Sequence, residues 1–202
     1  VKAPLILASS SPYRKQLLER LHLDFICISP DINETAKQNE TAYELVNRLA
    51  YEKASAVNSQ CKGNGIIIAS DQVALLDRVI LGKPHTPANA IKQLSQFNGK
   101  KVTFLTSLYV LNSTTGQYES ATDEYHVYFR NLTQAEIENY IKIESPLNCA
   151  GSFKCEGLGA TLFTKMEGND PTGLIGLPLI TLSELLRKHG VNPLTQLPKA
   201  IS

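Results

Sequence analysis

The sequence has little of what supports histidine–zinc, disulfide or P-loop chemistry. Its four cysteines, Cys27, Cys61, Cys149 and Cys155, form no C-x-x-C pair. No signal-like stretch precedes them, so they read as reduced thiols of a cytoplasmic protein. Val1 stands where a methionine is usual, which leaves the natural start open. The four histidines, His22, His85, His126 and His189, lie far apart and form no H-x-x-x-H, which argues against a histidine zinc site. No apolar run is long enough for a bilayer, so no membrane association is expected. There is no G-x-x-x-x-G-K-[ST], no nucleophile elbow and no kinase signature set. Repeats, low-complexity tracts and clear linkers are also missing, and one domain over residues 1–202 is the expectation. A net charge of +1 gives no global field for nucleic acid or a membrane surface, so any anion site must be local.

What is present is an ordinary globular composition, 43% hydrophobic and 19% charged. "LILAS" (5–9) and "FICIS" (25–29) read as strands around a helix over Pro12–Leu21, with Leu17, Leu18 and Leu21 on one face. A polar loop (30–40) precedes a long helix, Thr41–Asn58, broken by "GNG" at 63–65. "IIIAS" (66–70) is a continuous apolar run and so a fully buried strand. "QVALLDRVILGKP" reads as a strand, a turn at Asp77–Arg78 and a short strand ending at Lys83–Pro84. A helix over 87–98, strands at 101–112 and 119–129, and a helix over Thr133–Ile143 with a Thr133–Glu136 capping box follow. Residues 150–163 read as mixed loop and strand. A last helix in "PLITLSELLRKHG" is closed by Gly190 and Pro193. Helices alternate with strands and hairpins are inserted, so the expected class is α/β with a mixed sheet flanked by helices.

Four local features stand out. In "ASSSPYRKQLL", serine and proline make a sound helix start, but Arg14 falls in the first turn, where the dipole disfavours a cation. Either Arg14 points into solvent, or it joins Ser9, Ser10 and the free helix N–H groups as an anion site. Lys53 lies about 40° from Leu49 on the helical wheel, inside the apolar stripe, so it either snorkels or meets an anion. Asp71 directly follows "IIIAS" and is expected at the carboxyl end of that strand, as a metal ligand, a general base or a turn cap. Lys83 in "LGKP" can reach a phosphate or lie on the surface. With Glu34 added, these residues are an inventory for a polyphosphate and a divalent cation: cations for phosphate oxygens, carboxylates for metal and water.

The same residues make the chain resemble the Maf family of nucleoside triphosphate pyrophosphatases. The resemblance runs from about Leu5 to Pro193 through "SSSPYRKQLL", "PDINE", "RLAYEKA", "ASDQV", "LGKP", "CAGSFKCEGLG" and "GLPLITLSELL". It implies an elongated, twisted mixed sheet with a central cleft, similar to the inosine triphosphatases, and often a homodimer. It implies cleavage of a nucleoside triphosphate between the α- and β-phosphates, with a divalent metal, Mg or Mn. By position it implies that Ser9 and Arg14 hold the phosphate chain, that Lys53 and Lys83 contact phosphates, that Glu34 helps bind metal, and that Asp71 is the proton acceptor.

Against the commonest pattern of that family, Tyr13 replaces an arginine, Gln72 a threonine and Glu156 a glutamine. This trio resembles the branch that cleaves 7-methyl-GTP. Methylated guanine carries a delocalised positive charge, which a Tyr13 ring could face as a cation–π partner. Glu156 could pair with the base N–H edge or balance its charge; the other reading makes Glu156 a metal ligand and Tyr13 a surface aromatic. Broader specificity for dTTP, UTP or modified nucleotides is the alternative within the class. A non-catalytic nucleotide-binding regulator of septum formation is the alternative outside it.

Overall fold

The computed structural model describes residues 3–61 and 64–195. Val1 and Gly63, the first residue of the expected glycine break, lie outside them. Strand β1 (Leu5–Ala8) is four buried apolar residues and leads through Ser9–Ser11 into helix α1 (Pro12–Glu19). Ser11 caps that helix, its hydroxyl accepting from the Arg14 N–H at 3.4 Å, and Pro12 occupies the first turn, where its missing N–H costs nothing. Leu17 and Leu18 are buried from α1, each worth about 2 kcal/mol of transfer free energy. Leu21 belongs to the turn after the helix. Strand β2 (Phe25–Ile28) follows, then the polar loop, then helix α2 (Ala42–Gln60). Thr41 and Glu44 close a reciprocal capping box at its start.

Strand β3 (Ile66–Leu76) corrects the expectation for Asp71. It is one continuous strand of 11 residues, so Asp71 lies in its middle and not at its end. It turns at Asp77 and Arg78, both in the left-handed region with φ of 48° and 69°, into β4 (Val79–Leu81). Then come α3 (Pro87–Phe97), β5 (Lys101–Asn112), β6 (Tyr118–Phe129) and α4 (Gln134–Glu144), whose Thr133–Glu136 capping box is formed. Residues 150–162 contain two 3₁₀ turns and no strand. Strand β7 (Phe163–Gly168), helix α5 (Pro171–Ile175) and helix α6 (Leu179–Lys188) follow. The sequence reading did not separate β7 or α5.

The seven strands of the described residues form one sheet in the order β2-β1-β3-β5-β6-β7, with β4 on β3. The β1 pairings are parallel and the rest antiparallel, which makes the sheet mixed. Along one edge of β3 the partner changes. β1 pairs it as far as Ile68, and β4 takes up again at Ala74. Residues 69–73 have β5 on one side and, among the described residues, no strand on the other. The polypeptide leaving β1 carries Ser9 to Arg14 past this gap, and the polypeptide leaving β4 carries Lys83.

Side chains alternate across the sheet, so successive β3 residues serve different layers. Ile67 and Ala69 pack with Ala50, Ala54 and Val57 of α2. Ile66 and Ile68 pack with Leu17 and Leu18 of α1 and Leu182 and Leu186 of α6. A third cluster, including Phe97, Phe104, Phe129 and Phe153, seats α3 and α4 at the far end.

Candidate active site

The alternation puts Asp71 on the α2 side of β3. There it meets the lysine that the helical wheel left stranded. Lys53 Nζ donates to Asp71 Oδ1 at 2.6 Å and lies 2.8 Å from Glu34 Oε1. Lys53 and Asp71 are buried, at 5% and 6% exposure. Lys53 therefore does not snorkel, and Asp71 is not a turn cap. Glu34 comes from the polar loop and is exposed. Burial alone would raise its pKa, but the Lys53 hydrogen bond and the charges of Lys53, Lys83 and Arg14 hold it below the ordinary value.

Arg14 does not point into solvent either. Its Nε donates to the carbonyl of Gly176 at 2.9 Å, which fixes the guanidinium and leaves its Nη groups without a hydrogen bond among the described residues. Burial lowers its pKa, and the charges of Asp71 and Glu34 oppose that effect. Ser9 is buried, and its Oγ accepts from the Ser11 N–H at 3.1 Å. Lys83 is exposed and makes no ion pair among the described residues. Ser9, Arg14, Glu34, Lys53, Asp71 and Lys83 all line one cleft of about 820 Å³ over the gap in the β3 edge.

Gln72, one residue on, faces the opposite layer. Its Nε2 donates to Thr106 Oγ1 at 2.9 Å, Gly173 O at 2.8 Å and Leu174 O at 3.1 Å. It is thus a tether between β3 and α5 as well as a wall of the site. Tyr13, Gln72 and Glu156 line one recess of about 110 Å³, together with Phe104 and Phe153. Tyr13, Arg14, Gln72 and Lys83 line both recess and cleft, so the two join. Tyr13 and Arg14 are neighbours in the first turn of α1, and each lines both spaces.

Two thiols also line the recess. Cys149 Sγ lies 3.9 Å from Tyr13 Oη, and Cys155 Sγ lies 3.4 Å from Glu156 Oε2. Burial, and next the charge of Glu156, pushes the Cys155 thiol up to about 12, and burial raises Cys149. Such thiols are poor nucleophiles and serve as apolar walls. Burial likewise pushes Tyr13 up to about 12, which keeps its ring neutral.

The sequence reading passed over the segment that holds these pieces together. The α5 turn offers three carbonyls to the sheet. Gly173 O accepts from Thr106 Oγ1 at 2.9 Å as well as from Gln72, and Gly176 O accepts from Ser70 Oγ at 2.9 Å as well as from Arg14. Asp170 caps the turn, accepting from Thr172 N, Thr172 Oγ1 and Ile180 N at 2.9, 2.6 and 2.7 Å. Asp123 is buried beside it at 8% exposure, and its Oδ2 has no hydrogen-bond partner among the described residues. A Cβ on Gly173 would stand 2.5 Å from that oxygen, so a side chain there would have to displace the Asp123 carboxylate. The signal available was "NDPTG", an Asp-Pro helix start with a glycine in its first turn.

A sheet gap rimmed by fixed cations, a helix N-terminus and two carboxylates has the makings of a polyphosphate site, and the recess beside it has the walls for a planar ring. The chain belongs to the Maf-like protein family, whose pattern it matches over residues 4–189. It is 52% identical over 194 residues to a 7-methyl-GTP pyrophosphatase of Idiomarina loihiensis, covering 96% of this chain and 98% of that one. It is 54% identical over 187 residues to a protein of the same name from Alcanivorax borkumensis, covering 93% and 94%. Among solved structures, a HAM1 protein from Coxiella burnetii shares the fold at a TM-score of 0.52 and 16% identity, over 93% of this chain and all (100%) of the other. Among the described residues no helix is long and apolar enough to cross a membrane.

Proposed function

We propose that this chain hydrolyses 7-methyl-GTP to 7-methyl-GMP and pyrophosphate. The observation that carries the substrate is the pairing of the Tyr13 ring with the Glu156 carboxylate in a recess that opens onto the cleft. Arg14 and Lys83 line both spaces, and Lys53 lines only the cleft, while Glu156 lines only the recess. An aromatic face and a carboxylate suit a planar cationic base, and the shared Arg14 and Lys83 suit the phosphates that follow it. The names carried by the relatives of this chain support the same reading.

In this reading Arg14, Lys83, Ser9 and the α1 N-terminus hold the phosphate chain. Asp71 takes the proton from a water attacking the α-phosphorus, and pyrophosphate leaves. Tyr13 stacks on the base, and Glu156 compensates its charge. Glu34 and Asp71 fit a divalent cation such as Mg or Mn: two carboxylates already share one cation, Lys53, and such metals commonly take one or two carboxylates and complete their shell with waters and phosphates. When bound, the metal would neutralise charge on the phosphates. The four free thiols suit a cytoplasmic setting, and a homodimer is part of the proposal.

Pyrophosphate release measured with 7-methyl-GTP, GTP and UTP in Mg²⁺ or Mn²⁺ tests this. Preference for 7-methyl-GTP is expected. Preference for UTP overturns the substrate, and nucleotide binding with no release from any of the three favours a regulator instead.

A further inference from the structure

Lys53 stands where its own reading as a phosphate ligand does not put it. Its Nζ is 2.6 Å from Asp71 and 2.8 Å from Glu34, and it has no other side-chain partner among the described residues. These are the two carboxylates assigned above to the divalent cation. A second positive charge between the same oxygens meets the Lys53 ammonium at close range, and the burial of Lys53 and Asp71 leaves that repulsion poorly screened. We propose that the Lys53 ammonium is the resident counter-ion of Glu34 and Asp71 in the nucleotide-free protein, so that divalent metal is taken up with the polyphosphate and not before it.

Three observations support this role, which rests on the metal reading of Glu34 and Asp71. The stem of Lys53 is held in the apolar stripe of α2, between Leu49 and Val57, and the residue is 5% exposed. A buried ammonium cannot leave its carboxylates without new acceptors. Phosphate oxygens in the same cleft are such acceptors, and Arg14 and Lys83 line that cleft to draw them in. Among the described residues there is also no group of three or more His, Cys, Asp or Glu able to hold a metal, so the protein alone offers a sparse shell. Metal and phosphate binding are then coupled, each tightening the other. Sparse donors alone would also weaken free-metal binding, so the decisive variable is Lys53 itself.

Mn²⁺ binding followed by electron paramagnetic resonance separates the cases, using wild type and Lys53→Met, with and without inorganic phosphate. In phosphate-free buffer Lys53→Met is expected to bind Mn²⁺ at least ten-fold more tightly than wild type, and phosphate is expected to tighten wild type by a similar factor. Mn²⁺ should also raise the melting temperature of Lys53→Met and leave wild type unchanged. Equal affinity of wild type and Lys53→Met without phosphate overturns the counter-ion role and leaves the metal reading standing. No retention of Mn²⁺ by either protein, even with phosphate, overturns both. Should Lys53→Met fail to fold, Lys53→Gln takes its place in the same comparison with the same outcomes, and wild type that binds Mn²⁺ as tightly without phosphate as with it refutes the proposal on its own.

Discussion

Asp123 is a buried carboxyl that the proposed chemistry does not use, and its replacement by asparagine gives a prediction with a definite sign. Burial first, and then the charge of Asp170, raise its pKa from the ordinary 3.8 to about 6. Asp170 collects three donors, whereas Asp123 Oδ2 has none among the described residues. A carboxyl whose folded pKa is raised binds its proton more tightly folded than unfolded. Stability therefore falls as pH rises from about 4 to about 6, and the full penalty is present above that window. The interval from 3.8 to about 6 corresponds to about 3 kcal/mol. Asp123→Asn removes the charge at nearly the same volume but buries an amide N–H₂ that needs an acceptor, which takes back about 1 kcal/mol or more. The variant is therefore expected to gain about 1–2 kcal/mol at pH 7.5, a rise of some 2–8 °C in melting temperature for a chain of this size. The advantage should vanish near pH 4. Urea unfolding of both proteins at intervals from pH 4 to 8 measures the difference. Parallel stability curves across that range would show that Asp123 ionises normally and refute the reasoning.

Other substitutions test the site. Asp71→Asn should lower pyrophosphate release by about 10²–10⁴-fold while leaving nucleotide binding measurable, as expected for loss of a general base; undiminished turnover would count against that role. Tyr13→Ala should raise KM for 7-methyl-GTP by roughly 5- to 10-fold and Tyr13→Phe should not, because the ring face and not the hydroxyl meets the base. Glu156→Gln should weaken 7-methyl-GTP and leave GTP nearly unchanged, which parallel KM values would show. Gln72→Thr loses a donor that reaches Thr106, Gly173 and Leu174, so thermal melting should report about 1–3 kcal/mol of destabilisation besides any change in specificity.

Features written in neighbouring residues were legible before the fold was known. The Ser11–Pro12 start of α1, the Thr133 capping box and the Asp77–Arg78 turn are each fixed by contacts a few residues apart. Lys53 was legible for another reason: a cation inside an apolar stripe is a local conflict, and its resolution lies across the cleft. Asp71 was expected at a strand end and lies mid-strand, because a polar Ser-Asp-Gln run resembles the end of a buried strand. It continues instead as β3, since its polar side chains meet Lys53 on one face and the α5 turn on the other. The α5 tethers were not legible. Gln72 and Gly173 are 101 residues apart, and nothing in "NDPTGLIG" says which strand its carbonyls will face.

The gap along β3 also bears on how the protein avoids its neighbours. An unpaired strand edge invites a strand from another molecule, and proteins commonly blunt such edges with charge or cover. Here the unpaired residues 69–73 are closed off at both ends by β1 and β4. A foreign strand would have to run through those two to lie alongside. The fold thus exposes a stretch of sheet edge to a small molecule while denying it to another chain, and the opening for a ligand carries no standing risk of aggregation.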